Sequence, residues 1–332
     1  MDLNTAMKRF LPDQFTLMLV ATVLLATILP VSGIAAHWFA IATNIAIGLL
    51  FFLHGARLSR EVALAGLLHW RLHLSIIAMT FGIFPLMGLA IGLIPQSLLA
   101  PTLYTGLLYL CVLPSTVQSS IAFTSMAGGN VAAAVCAASA SSIIGMFITP
   151  LLVGLMMTTS GSAGISLDAL EKIVLQLLVP FLAGQLLQPW IGNWVRARKK
   201  LLMPVDRGSI LMVVYLAFSE AVIEGLWHTL SLKDITVLVV ISCVLLAIAL
   251  SITMVGSRLL GFNREDQIAI IFCGSKKSLA AGVPMANAIF AGQNIGAIVL
   301  PLMLFHQIQL MACAVIAQHY AARSKAAEKA SP

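Results

Sequence analysis

Charge is what this chain has least of. Asp, Glu, Lys and Arg supply 9% of its 332 residues, while 60% are hydrophobic; a soluble globular domain carries about 25% charged residues. That scarcity excludes a water-soluble fold and predicts an all-α polytopic membrane protein. Cysteine is also sparse. Cys111, Cys136, Cys243, Cys273 and Cys313 are odd in number and sit inside apolar segments, which argues against a disulfide framework and against metal-type spacing. The chain has no His-Glu-x-x-His, no mid-membrane aspartate pair and no cluster of acids or cysteines, which argues against a membrane-embedded enzyme. Nothing suggests a nucleotide site, a metal centre or ATP drive, so no cofactor is expected. A cleavable leader is not expected either, because Lys8 and Arg9 precede Gln14–Val31 but no small-residue cleavage pattern follows.

What is present is a succession of membrane-length apolar segments. Hydropathy gives ten spans, roughly Gln14–Val31, Ala36–Gly55, Leu72–Ile94, Thr102–Ala127, Val131–Met157, Leu170–Trp190, Ser209–Trp227, Ile235–Arg258, Gln267–Phe290 and Ile295–Tyr320. Fifteen basic residues then fall on one side: Lys8 and Arg9; Arg57, Arg60 and Arg71; Arg196, Arg198, Lys199, Lys200 and Arg207; Arg258 and Arg264; Arg323, Lys325 and Lys329. Only Lys172 and Lys233 fall on the other. By the positive-inside rule both termini are expected in the cytoplasm of a multi-pass cell-membrane protein, the inner membrane if the source is bacterial. The net charge of +7 marks that face and needs no nucleic-acid partner. The lipid bilayer is the expected surrounding, and a monomer or weak homodimer the expected state.

Two spans are interrupted. The ninth carries Lys276 and Lys277 between the seven residues of the span before Gly274 and the twelve from Leu279 onward. Neither piece alone approaches the ~20 residues a span needs. Joined, they put the lysines near the midplane, where a charge costs at least about 2.5–3.5 kcal/mol and faces a wet cavity or a partner. The competing reading ends the helix at Cys273 and lets the lysines snorkel to an interface, leaving Leu279–Phe290 without a membrane role. The fourth span is broken by Pro114-Ser-Thr-Val-Gln-Ser-Ser120, since proline lacks a backbone donor and clashes with the preceding turn.

The two breaks belong to a repeat. Ala127-Gly-Gly-Asn130-Val-Ala-Ala-Ala-Val135 resembles Ala291-Gly-Gln-Asn294-Ile-Gly-Ala-Ile-Val299, 164 residues later. Ser120-Ile121-Ala122 is matched by Ser278-Leu279-Ala280. Five spans per half invert the second copy, giving 1–160 as one repeat and 161–332 as the other. Inverted repeats with paired broken helices are secondary-transporter architecture, with binding sites where the breaks meet. The hydroxyls and amides at Ser115, Thr116, Gln118, Ser119 and Ser120 offer ligands there; helix capping or interhelical packing is the commoner role for any one of them, and their clustering at a break is what favours function.

The 114–121 break, the Gly129-Asn130 turn and the Phe-His306-Gln307-Ile segment resemble the bile acid:sodium symporter superfamily. Phe-Leu-His-Gly-Ala-Arg-Leu-Ser-Arg-Glu (52–61), Gln-Ser-Ser-Ile-Ala-Phe-Thr-Ser-Met-Ala-Gly-Gly-Asn (118–130) and Phe-Cys-Gly-Ser-Lys-Lys-Ser-Leu-Ala (272–280) are similar to its YfeH-like branch of symporters. The resemblance spans essentially the whole chain. It implies ten helices, a core domain of spans 3–5 and 8–10, a panel of spans 1, 2, 6 and 7, and substrate in the crevice between them.

The resemblance also implies two sodium sites, which this sequence alters. A Ser-Asn pair aligns with Ser119 and Ser120, span-5 hydroxyls with positions beside Ala134 and Ala138 near Ser139, Ser141 and Ser142, and a shared glutamate with Phe272. A span-9 glutamine aligns with Lys276 and a span-3 glutamine with Thr80. An ammonium 4 Å from Na⁺ repels it by about 4 kcal/mol at an effective dielectric of 20, roughly a thousandfold in affinity. Lys276 is therefore expected to stand in for sodium, on carbonyls and hydroxyls near Ser119, Ser120 and Thr80, with Ser275 and Ser278 beside it. Alternatively it exchanges a proton, since leaving water disfavours the charged form, with Glu220 or His306 as partner. A remodelled sodium site at Gln118, Ser119, Ser120, Ser139 and Ser141 is the competing reading. Lys277 and Gln307 align with substrate-contacting positions of the family, and an anionic substrate is expected to meet Lys277, Gln307 and Thr116. The expected function is alternating-access transport of a small organic anion, sodium-coupled, sodium-independent or proton-coupled; a non-transporting regulator on the same fold is the remaining class.

Overall fold

The computed structural model describes residues 14–57, 69–95, 98–159, 167–225, 227, 230–291 and 293–330. Lys8, Arg9, Arg60 and Gly292 lie outside them, as do the side chains of Lys172, Gln176, Lys199, Lys200, Lys325 and Lys329. The described residues are helical with no strand: α1 (Gln14–Ile28), α2 (Gly33–Arg57), α3 (Trp70–Ala78), a π turn (Met79–Ile83), α4 (Phe84–Ile91), α5 (Pro101–Val112), α6 (Gln118–Met126), α7 (Val131–Thr159), α8 (Leu167–Ala197), α9 (Lys199–Ile223), α10 (Leu232–Leu259), α11 (Arg264–Gly274), α12 (Leu279–Ile289) and α13 (Ile295–Ala330).

Among the described residues, seven stretches are long and apolar enough to cross a membrane: Gly33–Arg57, Trp70–Ile91, Val131–Met156, Leu201–Ile223, Leu232–Leu259, Arg264–Ile289 and Ile295–Arg323. The other three expected spans fall on α1, which is only 15 residues long, on the α5–α6 pair and on α8.

Both expected breaks are present, at slightly different limits. The fourth span is unwound only from Leu113 to Val117, so Gln118, Ser119 and Ser120 form the first turn of α6 instead of open chain. The ninth unwinds from Ser275 to Ser278. A third irregularity had no counterpart in the sequence reading: a π turn inside the third span. Pro85 explains it, because its ring cannot tolerate the Phe81 carbonyl in α-helical register, and a π turn relieves that clash.

Asn130 and Asn294 serve as matched helix caps. Each side-chain oxygen accepts the backbone N–H three residues on, Ala133 at 3.0 Å and Ala297 at 3.1 Å. Gly128, at φ 71°, turns the chain out of α6, a conformation that favours glycine. The turn is pinned to the start of α11, where Asn130 N–H donates to Glu265 O and Asn130 Nδ2 to Asp266 Oδ1.

Packing is tight where glycines let helices touch. A Cβ on Gly55 would lie 2.1 Å from Phe181 O and one on Gly184 2.0 Å from Phe52 O, so α2 and α8 run in backbone contact. α1 and α2 pack on α9, which is joined to α2 by the Arg57–Asp206 ion pair at 2.6 Å. α5 meets α13 the same way, with Gly106 against Ile298 O. α12 packs on α8, α9 and α13, whereas the main contacts of α6 are with α7, α11 and α13.

Candidate ion and substrate site at the helix crossing

The two breaks touch. Ser278 N–H donates to Pro114 O at 2.9 Å, Ser120 Oγ donates to Phe272 O at 2.8 Å, and Ser115 Oγ donates to Cys273 O. Ser115 N–H, released from helical bonding, is taken by Ser141 Oγ at 3.0 Å, and Val112 O by Thr149 Oγ1 at 2.9 Å. Thr116, Ser119 and Ser120 share hydroxyl bonds of 2.8–2.9 Å. Unwound backbone at membrane depth persists only with such partners. The break residues 113–116 and 275–278 are all buried.

Lys277 holds the centre. Its ammonium donates to Leu113 O at 2.7 Å, Thr80 O at 2.9 Å and Cys111 O at 3.0 Å, and lies 4.1 Å from the Phe84 ring centroid. Each carbonyl is available for a local reason. In the π turn, Phe84 N–H bonds Met79 O, so it leaves Thr80 O without that donor. Cys111 and Leu113 lie at the end of α5, where Pro114 supplies no N–H and Ser115 N–H has turned to Ser141. A half-helix C-terminus also favours a cation. Three charge-assisted bonds of roughly 1.5–3 kcal/mol each and a desolvated cation–π contact of about 2 kcal/mol offset a desolvation penalty of several kcal/mol. The ammonium's three donors are all used.

Gln309 fixes the lysine from behind. Its Oε1 accepts Lys277 N–H at 2.9 Å and its Nε2 donates to Lys277 O at 2.8 Å. The same Nε2 lies 2.8 Å from His306 Nδ1. An amide nitrogen donates, so Nδ1 accepts and the ring proton sits on Nε2.

Lys276 lacks such partners. Its ammonium is fully buried with no hydrogen-bond acceptor among the described residues. It lies 3.9 Å from the Phe123 ring centroid and 5.6 Å from that of Phe272. Cation–π contacts at about 0.5–2 kcal/mol each fall short of the penalty for burying an ammonium.

This geometry corrects the sequence reading in several places. The lysine on the carbonyls is Lys277, not Lys276, and Lys276 reaches neither Thr80 nor the hydroxyls of Ser119 and Ser120. Thr80 contributes its carbonyl, while its Oγ1 has no partner among the described residues. The Lys277 ammonium, saturated by carbonyls, has no donor left for a solute. Ser275 Oγ donates to Ile271 O at 2.6 Å, and Ser278 Oγ caps α12 by accepting Ala281 N–H at 3.1 Å. Ser139 is half-buried on α7 and Gln118 exposed, neither joined to the bonded cluster. Glu220 is exposed, beside Ser219, whose Oγ accepts Val31 N–H, which places it at an end of the bundle away from the lysines. His306 reaches Lys277 through Gln309, not Lys276. Gln307 is half-buried, and Gln309, two residues on, makes the lysine contact.

Phe272, aligned with the glutamate that the resemblance implies for the family, lies beside Lys276 and gives its carbonyl to Ser120. Gln309, Phe84, Phe123 and the carbonyls of Cys111 and Leu113 were missed. Gln309 was findable, one turn from His306 on the same helix face. Carbonyls have no residue signature, and only Pro85 and Pro114 hint at them.

Broken helices that cross around an ion-like site recur in secondary transporters. The chain belongs to the SBF-like CPA transporter family, whose model matches residues 13–322. It is 62% identical over 315 residues to the uncharacterised protein PA2026 of Pseudomonas aeruginosa, covering 95% of each chain. It is 56% identical over 308 residues to the Escherichia coli candidate symporter YfeH, covering 93% of this chain and 92% of that one. It is 30% identical over 275 residues to the rat sodium/bile acid cotransporter 7, covering 82% and 81%. With its apolar helices, this makes it a multi-pass membrane protein of a transporter family.

Proposed function

We propose that the protein is a secondary carrier of a small organic anion that works by alternating access and needs no sodium, because the Lys277 ammonium permanently occupies a cation site. The carrying observation is that ammonium on three backbone carbonyls at the crossing of the breaks. A bound sodium would meet the repulsion of about 4 kcal/mol worked out above for 4 Å. The named relatives are a candidate symporter and sodium/bile acid cotransporters; in this reading the fold is kept and the ion is replaced by a tethered one.

The arrangement behind this reading is ten spans in two inverted halves, with α1, α2, α8 and α9 as the panel and the remaining helices as the core. The matched Asn130 and Asn294 caps and the paired breaks support it. α12 is buried almost all round and packs on α8 and α9, while α6 exposes Gln118, Ala122, Ser125 and Met126 along one face. The crevice is thus closed at the α12 end and open at the α6 end, and with both termini cytoplasmic this is an inward-facing state.

Two lysines with no carboxylate partner among the described residues give the crossing positive potential, which favours an anion. The test is uptake of labelled carboxylates and their uncharged amides into proteoliposomes. Saturable, protein-dependent flux of a carboxylate and not of its amide is expected. A protein that moves none of them is a regulator, and the carrier reading fails.

A further inference from the structure

Lys276 offers the chemistry that Lys277 has used up. It is a fully buried ammonium with no acceptor among the described residues, set against the Phe123 ring with Phe272 beside it. The titratable groups acting on it are the thiols of Cys313 and Cys273, with no carboxylate among them. The two rings offset only part of the cost of removing the charge from water, so the site still lacks a negative partner. An oxyanion would supply acceptors for all three N–H groups.

Access points to where that anion comes from. Phe123 is half-buried on α6, next to the exposed Ala122, and covers the ammonium at 3.9 Å. One turn earlier on the same face of α6 stand Ser119 and Ser120, bonded to Thr116. The first turn of α6 adds its partial positive charge. The Phe123 ring and Ser119 therefore lie on one half-buried face of α6, with the buried ammonium behind the ring.

We propose that Lys276 receives the negatively charged head of the carried solute, a carboxylate or similar oxyanion, and that the Phe123 side chain swings off the ammonium to admit it. This rests on the anion-carrier reading and replaces Lys277 by Lys276 as the residue that meets the solute's charge. The site is distinct from the Lys277 carbonyl site, so the two lysines divide the work: one is a fixed cation, the other an anion receptor.

Acetate is the probe. The full-length protein in a non-ionic detergent is heated in choline acetate against choline chloride at equal ionic strength, with acetamide as the neutral control. A saturable rise of the unfolding midpoint with acetate and none with acetamide is expected. Lys276→Gln should weaken the apparent acetate affinity at least tenfold, and Lys276→Arg should retain it. No acetate-specific rise in the wild type, or an equal rise in Lys276→Gln, overturns the proposal. Should Lys276→Gln not fold, Phe123→Ala decides: uncovering the ammonium must tighten acetate binding, and unchanged or weaker binding refutes it. Proteoliposome flux separates the two readings. Anion flux with unaltered charge discrimination in Lys276→Gln defeats the Lys276 site and leaves the carrier; Lys276-dependent acetate binding without any anion flux defeats the carrier and leaves the site.

Discussion

Replacing Lys277 by Ala removes an ammonium and leaves three inward-facing carbonyls, those of Thr80, Cys111 and Leu113, without their donor. A buried acceptor left unpaired costs about 1–3 kcal/mol, so the three together cost roughly 3–9 kcal/mol, a large share of the 5–15 kcal/mol that holds a typical domain folded. The same change removes the ~4 kcal/mol repulsion against sodium and leaves room for the ion among the oxygens. Sodium affinity should therefore rise by up to about a thousandfold. At a hundred times its Kd the ion would restore about 2.7 kcal/mol. The assay is unfolding in detergent with NaCl or choline chloride at equal ionic strength. Wild type should not distinguish the salts. Lys277→Ala should be strongly destabilised in choline and rescued saturably by Na⁺, whereas Lys277→Met, whose chain fills the space, should be destabilised without rescue. The reasoning fails if Lys277→Ala is as stable as wild type in choline, or if both salts restore it equally.

Gln309→Leu orphans the backbone N–H and C=O of Lys277 and should lower stability by roughly 2–4 kcal/mol, measurable by the same unfolding assay. Gly184→Ala would drive a Cβ to 2.0 Å from Phe52 O, so separating α2 from α8 should cost about 1–3 kcal/mol and lower the melting midpoint. Ser125→Cys, on the exposed face of α6, should react with a membrane-impermeant maleimide applied from the cytoplasmic side and stay unlabelled from the other; the reverse pattern would invert the proposed orientation.

The helical membrane class was legible in the apolar runs, and both breaks in Pro114 and the Gly274–Ser278 stretch, because proline, glycine and intramembrane charge act through local chemistry. The matched strings around Asn130 and Asn294 were legible as a repeat, and the structure adds that both asparagines cap helices. That Lys277 and not Lys276 meets the carbonyls was not legible. Adjacent residues in an unwound segment point in different directions, and the choice between them is made by backbone oxygens on the third and fourth spans, which no residue type marks. The π turn at Met79–Ile83 follows from Pro85 only once one knows that the helix continues past it. Gln309 was passed over for Gln307 because the resemblance supplied a position, whereas the helix face shared with His306 supplied the contact.

Sodium replacement tests the central claim most directly. Solute uptake into proteoliposomes is measured at fixed pH and membrane potential, with Na⁺ exchanged for choline. A tethered ammonium in the cation site predicts the same rate in both salts for the wild type. Uptake that collapses in choline and saturates as Na⁺ is added back would show that sodium binds despite Lys277, and would contradict the account.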